Sequence, residues 1–124
     1  MSKVTTLIPA INAVTETTES DAINIEGASK VILVYKRADH AAGKTVFSAT
    51  VSVDDSNYIT YNKWISNTAN TNGETLTRVA EVDTGAADAT GFLTMSPEDG
   101  FKYIKVKATE TTDGTHSVWL YIEY

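Results

Sequence analysis

The sequence predicts an all-β protein, an antiparallel β-sandwich of about eight or nine strands. Apolar and polar residues alternate through most of the chain, and no window of helical length carries an apolar stripe with a period near 3.6 residues. Runs rich in Val, Ile, Thr and Tyr are separated by turns rich in Gly, Asp, Asn and Ser. Turns this frequent are typical of jelly-roll or immunoglobulin-like sandwiches.

The first segment differs from the remainder of the chain. Residues 1–19 are predicted to form an N-terminal arm and first strand, followed by a single sandwich domain at 20–124. "MSKVTTLIPAINAV" is apolar with one Lys, and its proline favours an extended course. We interpret it as an arm laid across a partner, as an added strand; the alternative is the first strand of its own sandwich. The predicted partner-binding residues are Val4, Leu7, Ile8, Pro9 and Ile11.

The remaining strands follow from alternation and from the turns between them. Strand-forming patterns lie at 12–18, 22–26, 29–37, 45–54, 57–64, 75–83, 90–95, 101–109 and 116–123. One helical turn is predicted at "MSPEDGF", where Ser96 can cap and Pro97 suits the first helical position. Gly100 should end it after about one turn.

Two strands are apolar on both faces. "TVFSATVSV" has one apolar and one polar face, as in a sheet wetted on one side, whereas "VILVY" and "VWLYI" do not alternate in this way. Such strands need cover on both faces. The opposite sheet supplies one side, and a loop, an arm or a neighbouring subunit is expected to supply the other.

Length and charge exclude several classes of protein. The chain has 124 residues, no cysteine and a net charge of −6. The acidic balance argues against a nucleic-acid partner, and the basic side chains, including Lys36 and Arg37, are expected on solvated strand edges. The longest apolar runs are too short for a membrane span, and the start is a poor secretory signal. We expect a soluble, unprocessed chain.

The stretch "AEVDTGAADATG" resembles the catalytic signature of aspartic proteases. That chemistry needs two carboxylates about 3 Å apart that share one proton. In such proteases a later strand ends in two apolar residues and a glycine that support the loop, and this chain lacks that motif downstream of Asp83. Asp83 is therefore interpreted as the end of a strand entering a surface turn.

The other catalytic and metal-binding patterns are incomplete in this sequence. His40 and His116 lie beside turn residues without metal-ligand spacing, so both are predicted to be solvated loop side chains. No serine occupies a Gly-x-Ser-x-Gly elbow. "VDDSN" lacks the ligand spacing of a calcium loop and is predicted to be a hairpin turn. The sequence thus predicts a non-enzymatic protein without catalytic residues, cofactor or metal.

Three aromatic side chains are candidates for a sugar-binding surface. Tyr58, Tyr61 and Trp64 are spaced by three, so in a regular strand Tyr58 and Trp64 would share a face and Tyr61 would oppose them. The alternative is that Trp64 and Trp119 fill the core while tyrosines line its rim.

Four stretches carry a family resemblance. "SDAINIEGASKVILVYKRA", "VFSATVSVDDSNYITYNKWI", "NTNGETLTRVAEVDT" and "GFKYIKVKATETTDGTHSVWLYIEY" together resemble small virion structural proteins of tailed bacteriophages, a group that includes capsid decoration (cement) proteins. The likeness spans about residues 20–124 and rests on the general pattern of strands and turns. This pattern includes a "VSVD" strand leading into an aromatic hairpin and an amphipathic closing strand.

The resemblance implies a role in assembly. Such proteins commonly bind the capsid surface as oligomers, often trimers, with N-terminal arms contacting the capsid. The hypothesis is a decoration protein made in the host cytoplasm and located on the capsid surface of the virion. Its partner would be the major capsid protein or another virion protein; a homo-trimer is favoured, without nucleic acid or membrane. The alternative is a carbohydrate-binding or adhesion module of a phage tail or fibre.

Overall fold

The computed structural model describes residues 5–70, 73–95 and 100–124. Within these ranges the chain forms twelve β-strands arranged in two six-stranded antiparallel sheets, which confirms the predicted all-β sandwich. In the described part of the chain, no helix is long and apolar enough to cross a membrane.

The strands range from two to ten residues in length. They are β1 (Thr5–Val14), β2 (Thr18–Glu19), β3 (Ile23–Asn24), β4 (Lys30–Ala38), β5 (Gly43–Ser52), β6 (Ile59–Thr60), β7 (Trp64–Asn70), β8 (Gly73–Val79), β9 (Glu81–Asp83), β10 (Ala89–Met95), β11 (Tyr103–Thr112) and β12 (Thr115–Glu123).

The two sheets have different edges. Sheet A has the order β1-β12-β4-β10-β7-β8. Sheet B has the order β2-β11-β5-β6, and β3 also pairs with β11 while β9 pairs with β5. The long strands β12 and β4 are paired from Thr115 opposite Ala38 to Glu123 opposite Lys30, and both lie in the interior of sheet A.

The core lies between the sheets and follows the pleat. Leu33 of β4 is opposite Leu120 on one side and Leu93 on the other, and all three side chains are buried. Phe47 and Val106 face them from sheet B. Each such side chain stabilises the fold by roughly 1.5–3 kcal/mol through removal of apolar surface from water.

Residues 5–14 belong to the protein's own sandwich. β1 pairs with β12 from Thr5 opposite Glu123 to Val14 opposite His116, which is the alternative that the sequence left open. Its register shifts twice, between Pro9 and Ile11 and between Ile11 and Val14. The predicted strand at 12–18 is therefore wrong in position, because long-range pairing with β12 begins earlier in the chain.

One of the predicted arm residues is buried. Ile11 is only 2% exposed and belongs to the protein's own core. Ile8 packs against the same core, whereas Leu7 and Pro9 are exposed. Val4 lies outside the described residues, as does the predicted helical turn at 96–99.

Two predicted strands are interrupted. The pattern at 57–64 contains only the two-residue β6 before a non-strand stretch at 61–63. The pattern at 75–83 is broken at Ala80, where the chain leaves sheet A and enters sheet B: β8 pairs with β7, and β9 pairs with β5. Local alternation continues through this crossing, so the sequence alone does not reveal it.

Candidate interaction surfaces

The outer face of sheet A carries apolar side chains. The pleat sends alternate residues to opposite sides, so the neighbours of the buried leucines in β4, β10 and β12 point away from the core. We call this surface the apolar face; it consists of Leu7, Pro9, Ile32, Val34, Ile65, Phe92, Trp119 and Tyr121.

Strand pairing orders these side chains in two rows. One row runs Leu7, Tyr121, Ile32, Thr94 and Ile65 across β1, β12, β4, β10 and β7. The second row runs Pro9, Trp119, Val34 and Phe92. Leu7 is 63% exposed and Phe92 43% exposed, while the central members are half-buried because they shield one another.

Polar residues border the apolar face on three sides. Lys30 and Glu123 lie directly opposite each other on β4 and β12 at one end, and Ser117 and Lys36 form the corresponding pair at the other end. Arg78 lies at the side, opposite Ile65. An apolar centre with a polar rim is the usual anatomy of a protein–protein interface.

The outer face of sheet B is polar by comparison. Its outward positions on β5 and β11 include Ser48, Thr50, Lys105 and Lys107, with Glu19 of β2 beside Lys107. The sequence predicted that "VILVY" and "VWLYI" need cover on a second face. Because β1 lies beside them in the same sheet and Val34 and Trp119 remain partly exposed, the arm does not provide that cover.

A second exposed apolar group lies at the end of the sandwich where β1 begins. We call this the Thr5 end; it contains 24–30, 53–59, 101–103 and 123–124. Thr5 pairs with Glu123, and the hydroxyl of Tyr124 contacts the carbonyl oxygen of Asn24 at 3.4 Å. Three apolar side chains reach solvent here: Val53 (56% exposed), Ile59 (60%) and Tyr124 (43%).

The hairpin at Asp54 shapes this end. The Asp54 carboxylate accepts hydrogen bonds from the backbone N–H groups of Ser56 and Asn57, each at 2.9 Å, and from the Asn57 side chain at 2.7 Å. These bonds hold the pKa of Asp54 well below its ordinary value. The carboxylate is occupied in organising a turn, which agrees with the hairpin interpretation of "VDDSN".

The three aromatic residues considered as a sugar-binding platform do not share one surface. Trp64 is fully buried and Tyr61 is 2% exposed, and their rings meet edge to face at 4.9 Å between centroids. The expected opposition of Tyr61 and Trp64 fails because residues 61–63 are not in a strand, so the two-residue alternation is lost. Of the three predicted surface aromatics only Tyr58 keeps contact with solvent, and Lys105 Nζ lies 4.3 Å from its ring centroid. The adhesion alternative thereby loses two of the three side chains on which it depended.

Arg37 organises the opposite end of the sandwich. It is 1% exposed, so the prediction that it lies on a solvated strand edge is wrong. Its guanidinium donates to five backbone carbonyl oxygens in three loops: Ala42 (2.9 Å), Gly43 (3.4 Å), Gly85 (2.9 Å), Ala87 (3.2 Å) and Asp113 (2.6 Å). The signal for burial was present in the sequence, because Arg37 continues the inward phase of Val31 and Leu33.

The loop after Asp83 is part of this arrangement. Asp83 ends β9, and its carboxylate accepts from the backbone N–H of Gly85 at 2.8 Å and from Lys44 Nζ at 2.9 Å. These two bonds hold the pKa of Asp83 below its ordinary value. Asp83 is thus paired with a lysine, whereas aspartic protease chemistry would need a second carboxylate beside it. The small residues of "TGAADATG" allow the Arg37 guanidinium to reach the loop carbonyls.

The two histidines have different environments. His40 is partly exposed in a loop, as predicted, and its Nδ1 lies 2.6 Å from an Asp88 carboxylate oxygen. His116 is fully buried, contrary to prediction, because it continues the inward phase of Val118 and Leu120 in β12 and lies opposite Arg37. Among the described residues, no His, Cys, Asp or Glu cluster could hold a metal ion.

Burial of His116 predicts a pH-dependent stability. Burial lowers the pKa of His116 from its ordinary value near 6.5, and the nearby Glu110 carboxylate offsets this only in part. Between the folded-state pKa and about 6.5, the unfolded chain binds a proton that the folded chain does not, so stability falls as pH is lowered through this window. We expect the urea midpoint to decrease from pH 7 to pH 5.

The variant His116→Gln is expected to flatten this dependence, because Gln stays uncharged over the whole window. Carboxylates with lowered pKa values, including Asp54 and Asp83, add their loss of stability only below about pH 4. An unchanged slope between pH 7 and pH 5 in His116→Gln would contradict the assignment to His116.

Two solved structures resemble this fold. No protein-family model matches the sequence, and no curated protein matches it. The crystal structure of SPBc2 prophage-derived protein YomS matches with a TM-score of 0.64 and 11% identity, covering 100% of this chain and 96% of that chain. The structure of infectious bursal disease virus Gx strain matches with a TM-score of 0.52 and 10% identity, covering 98% of this chain and 32% of that chain. At these identities the chain shares the sandwich fold of a prophage-derived protein and of a viral protein.

Proposed function

We propose that this chain is a non-enzymatic virion structural protein of the capsid decoration (cement) type, which binds the outer capsid surface and stabilises it. The observation that carries the proposal is the Thr5 end, where β1 begins beside the exposed Val53, Ile59 and Tyr124. The chain also shares its fold with a prophage-derived protein and a viral protein. This similarity and the sequence resemblance to phage virion proteins support the same role.

The Thr5 end suits a weak contact that is repeated many times. Burial of an apolar side chain contributes roughly 1.5–3 kcal/mol, so a few such contacts give each copy a modest affinity. Several copies held together bind far more tightly, because each contact after the first becomes intramolecular. In this proposal residues 1–4 contact the capsid from the Thr5 end. Residues 5–14 stay paired with β12, beginning with Thr5 opposite Glu123.

The test uses virions of the phage that encodes the chain. Mass spectrometry of purified virions should find the protein in many copies, and purified protein should co-sediment with particles that lack it. Deleting residues 1–4 keeps β1 and its buried Ile11, so it separates the arm's contribution from folding better than a longer deletion does. We expect this deletion, and separately the double variant Val53→Ser, Ile59→Ser, to weaken co-sedimentation by about tenfold or more.

The matched control is the double variant Glu19→Ser, Lys107→Ser on the polar outer face of sheet B, which also leaves the net charge unchanged. It should bind particles as the unmodified protein does. Absence of the protein from virions, or equal binding by the Val53 and Ile59 double variant, would overturn the proposal.

A further inference from the structure

We infer that the apolar face joins two copies of this chain face to face, about a two-fold axis that runs parallel to the strands between β12 and β4. The dimer itself does not depend on capsid binding. It follows from the order of side chains across sheet A, from the rim charges and from the size of the face.

The position of the axis follows from the centre of the second row, which has two side chains on each side of the line between β12 and β4. The side chains of β1 and β12 lie on one side of the line between β12 and β4, and those of β4 and β10 lie on the other. A two-fold axis along this line places β12 against β4 of the second copy, and β1 against β10. The second row then meets itself in reverse order. In the first row, Tyr121 faces Ile32 and Leu7 faces Thr94 of the second copy, while Ile65 of β7 lies outside the overlap.

Large side chains meet small ones in this arrangement. In the second row, Trp119 faces Val34 of the second copy, and Phe92 faces Pro9 of the second copy. Interlocking of this kind is how the inner faces of two sheets form a core about 10 Å thick. Because aligned sheets pack at about 30° to each other, contacts near the axis are retained and those at corners such as Leu7 are looser.

The rim charges select this axis over its neighbours. Lys30 and Glu123 are opposite each other across the proposed axis, so each faces the other residue type in the second copy. Two oppositely charged contacts result at one end of the interface. An axis running along β4 would instead place Lys30 against Lys30 and Lys36 against Lys36, and such like-charge contacts disfavour association.

The overlap of the two faces is close to the lower limit for a stable dimer interface. The strands that overlap in the two copies are β1, β12, β4 and β10, which give a width of roughly 19 Å, and the length is roughly 30 Å over nine residues. The projected area is then roughly 570 Å², near the lower end of the roughly 600–1,000 Å² that each partner of a standard interface buries. The resemblance implies a trimer, whose contacts join two different surfaces. The outer face of sheet B offers polar side chains rather than a matching apolar surface.

The dimer geometry also bears on capsid binding, and this consequence rests on the proposed function. A two-fold axis parallel to the strands leaves both Thr5 ends on the same side of the dimer. Both sets of Val53, Ile59 and Tyr124 then face one capsid surface, and the dimer binds through two contacts at once.

The test is the mass of the full-length purified protein, measured by sedimentation equilibrium without particles. We expect twice the 13.4 kDa of one chain. Val34→Lys places a charge beside the axis and should give a monomer. The matched control Thr50→Lys, at an outward position of β5 in sheet B, should remain a dimer. Circular dichroism melts establish that both variants are folded.

A charge exchange tests the axis even if Val34→Lys fails to fold. K30E and E123K should each raise the dimer dissociation constant by about tenfold. Mixing the two single variants should restore association as a heterodimer, because each contact then pairs opposite charges again. A monomeric or trimeric unmodified protein, or the absence of rescue in the mixture, would overturn the inference. Failure to find the protein in virions would leave these masses unchanged, so the dimer and the proposed function fail separately.

Discussion

Replacing Arg37 with Met is expected to lower the free energy of unfolding by about 3–5 kcal/mol, because each buried acceptor left without a donor costs roughly 1–3 kcal/mol and several lose their donor together. The guanidinium is 1% exposed and satisfies carbonyl oxygens in three separate loops. Methionine fills similar volume but donates no hydrogen bond, so these carbonyls lose their partner away from water. A fall of roughly 10–20 °C in melting temperature should accompany the loss.

The control for this experiment is one residue away. Lys36→Met removes a similar side chain from the same strand, but Lys36 is exposed on the outer side of sheet A. Its effect on stability should stay within about 0.5 kcal/mol. Thermal and urea unfolding followed by circular dichroism measure both variants. If Arg37→Met were as stable as Lys36→Met, the hydrogen bonds of Arg37 would not be what holds the three loops together.

Trp64→Ala should destabilise the fold by about 3–5 kcal/mol, as expected for the loss of a large core aromatic. Trp64 is fully buried and packs edge to face against Tyr61, which in turn packs against Phe101 with 6.1 Å between ring centroids. Removal of the indole leaves a cavity between the sheets. Trp64→Phe should cost less, because it retains an aromatic ring at the site.

Tyr58→Ala supplies the comparison for Trp64. The Tyr58 side chain lies at the surface, and its main contacts are with Asp55 and Lys105. Urea unfolding should therefore show a much smaller loss than in Trp64→Ala. Equal losses in the two variants would mean that Trp64 does not carry the core role that its burial indicates.

The pattern of apolar residues was sufficient to predict much of the fold. Alternation indicated the strands that became β4, β5, β11 and β12 and the two-sided apolar character that produces the apolar face. It could not show which sheet a strand joins, because alternation is a property of one strand and pairing involves distant segments. The crossing at Ala80 and the pairing of β1 with β12 are both consequences of such distant contacts.

Polar residues were harder to place than apolar ones. Arg37 and His116 were expected in solvent because their side chains are polar, yet each keeps the inward phase of its strand. What makes burial of Arg37 tolerable is the convergence of carbonyls from residues 42–43, 85–87 and 113, and no local stretch of sequence contains that information. Phase along a strand was the better guide in both cases.

The irregular β1 determines how copies of the protein can meet at high concentration. A regular outer strand offers a continuous row of N–H and C=O groups, on which further chains can add without limit until a fibre forms. Pro9 removes one donor from β1, and the two register shifts bend the row that remains. Open-ended growth from this edge is therefore disfavoured, because an added strand would meet a bent row that lacks one donor.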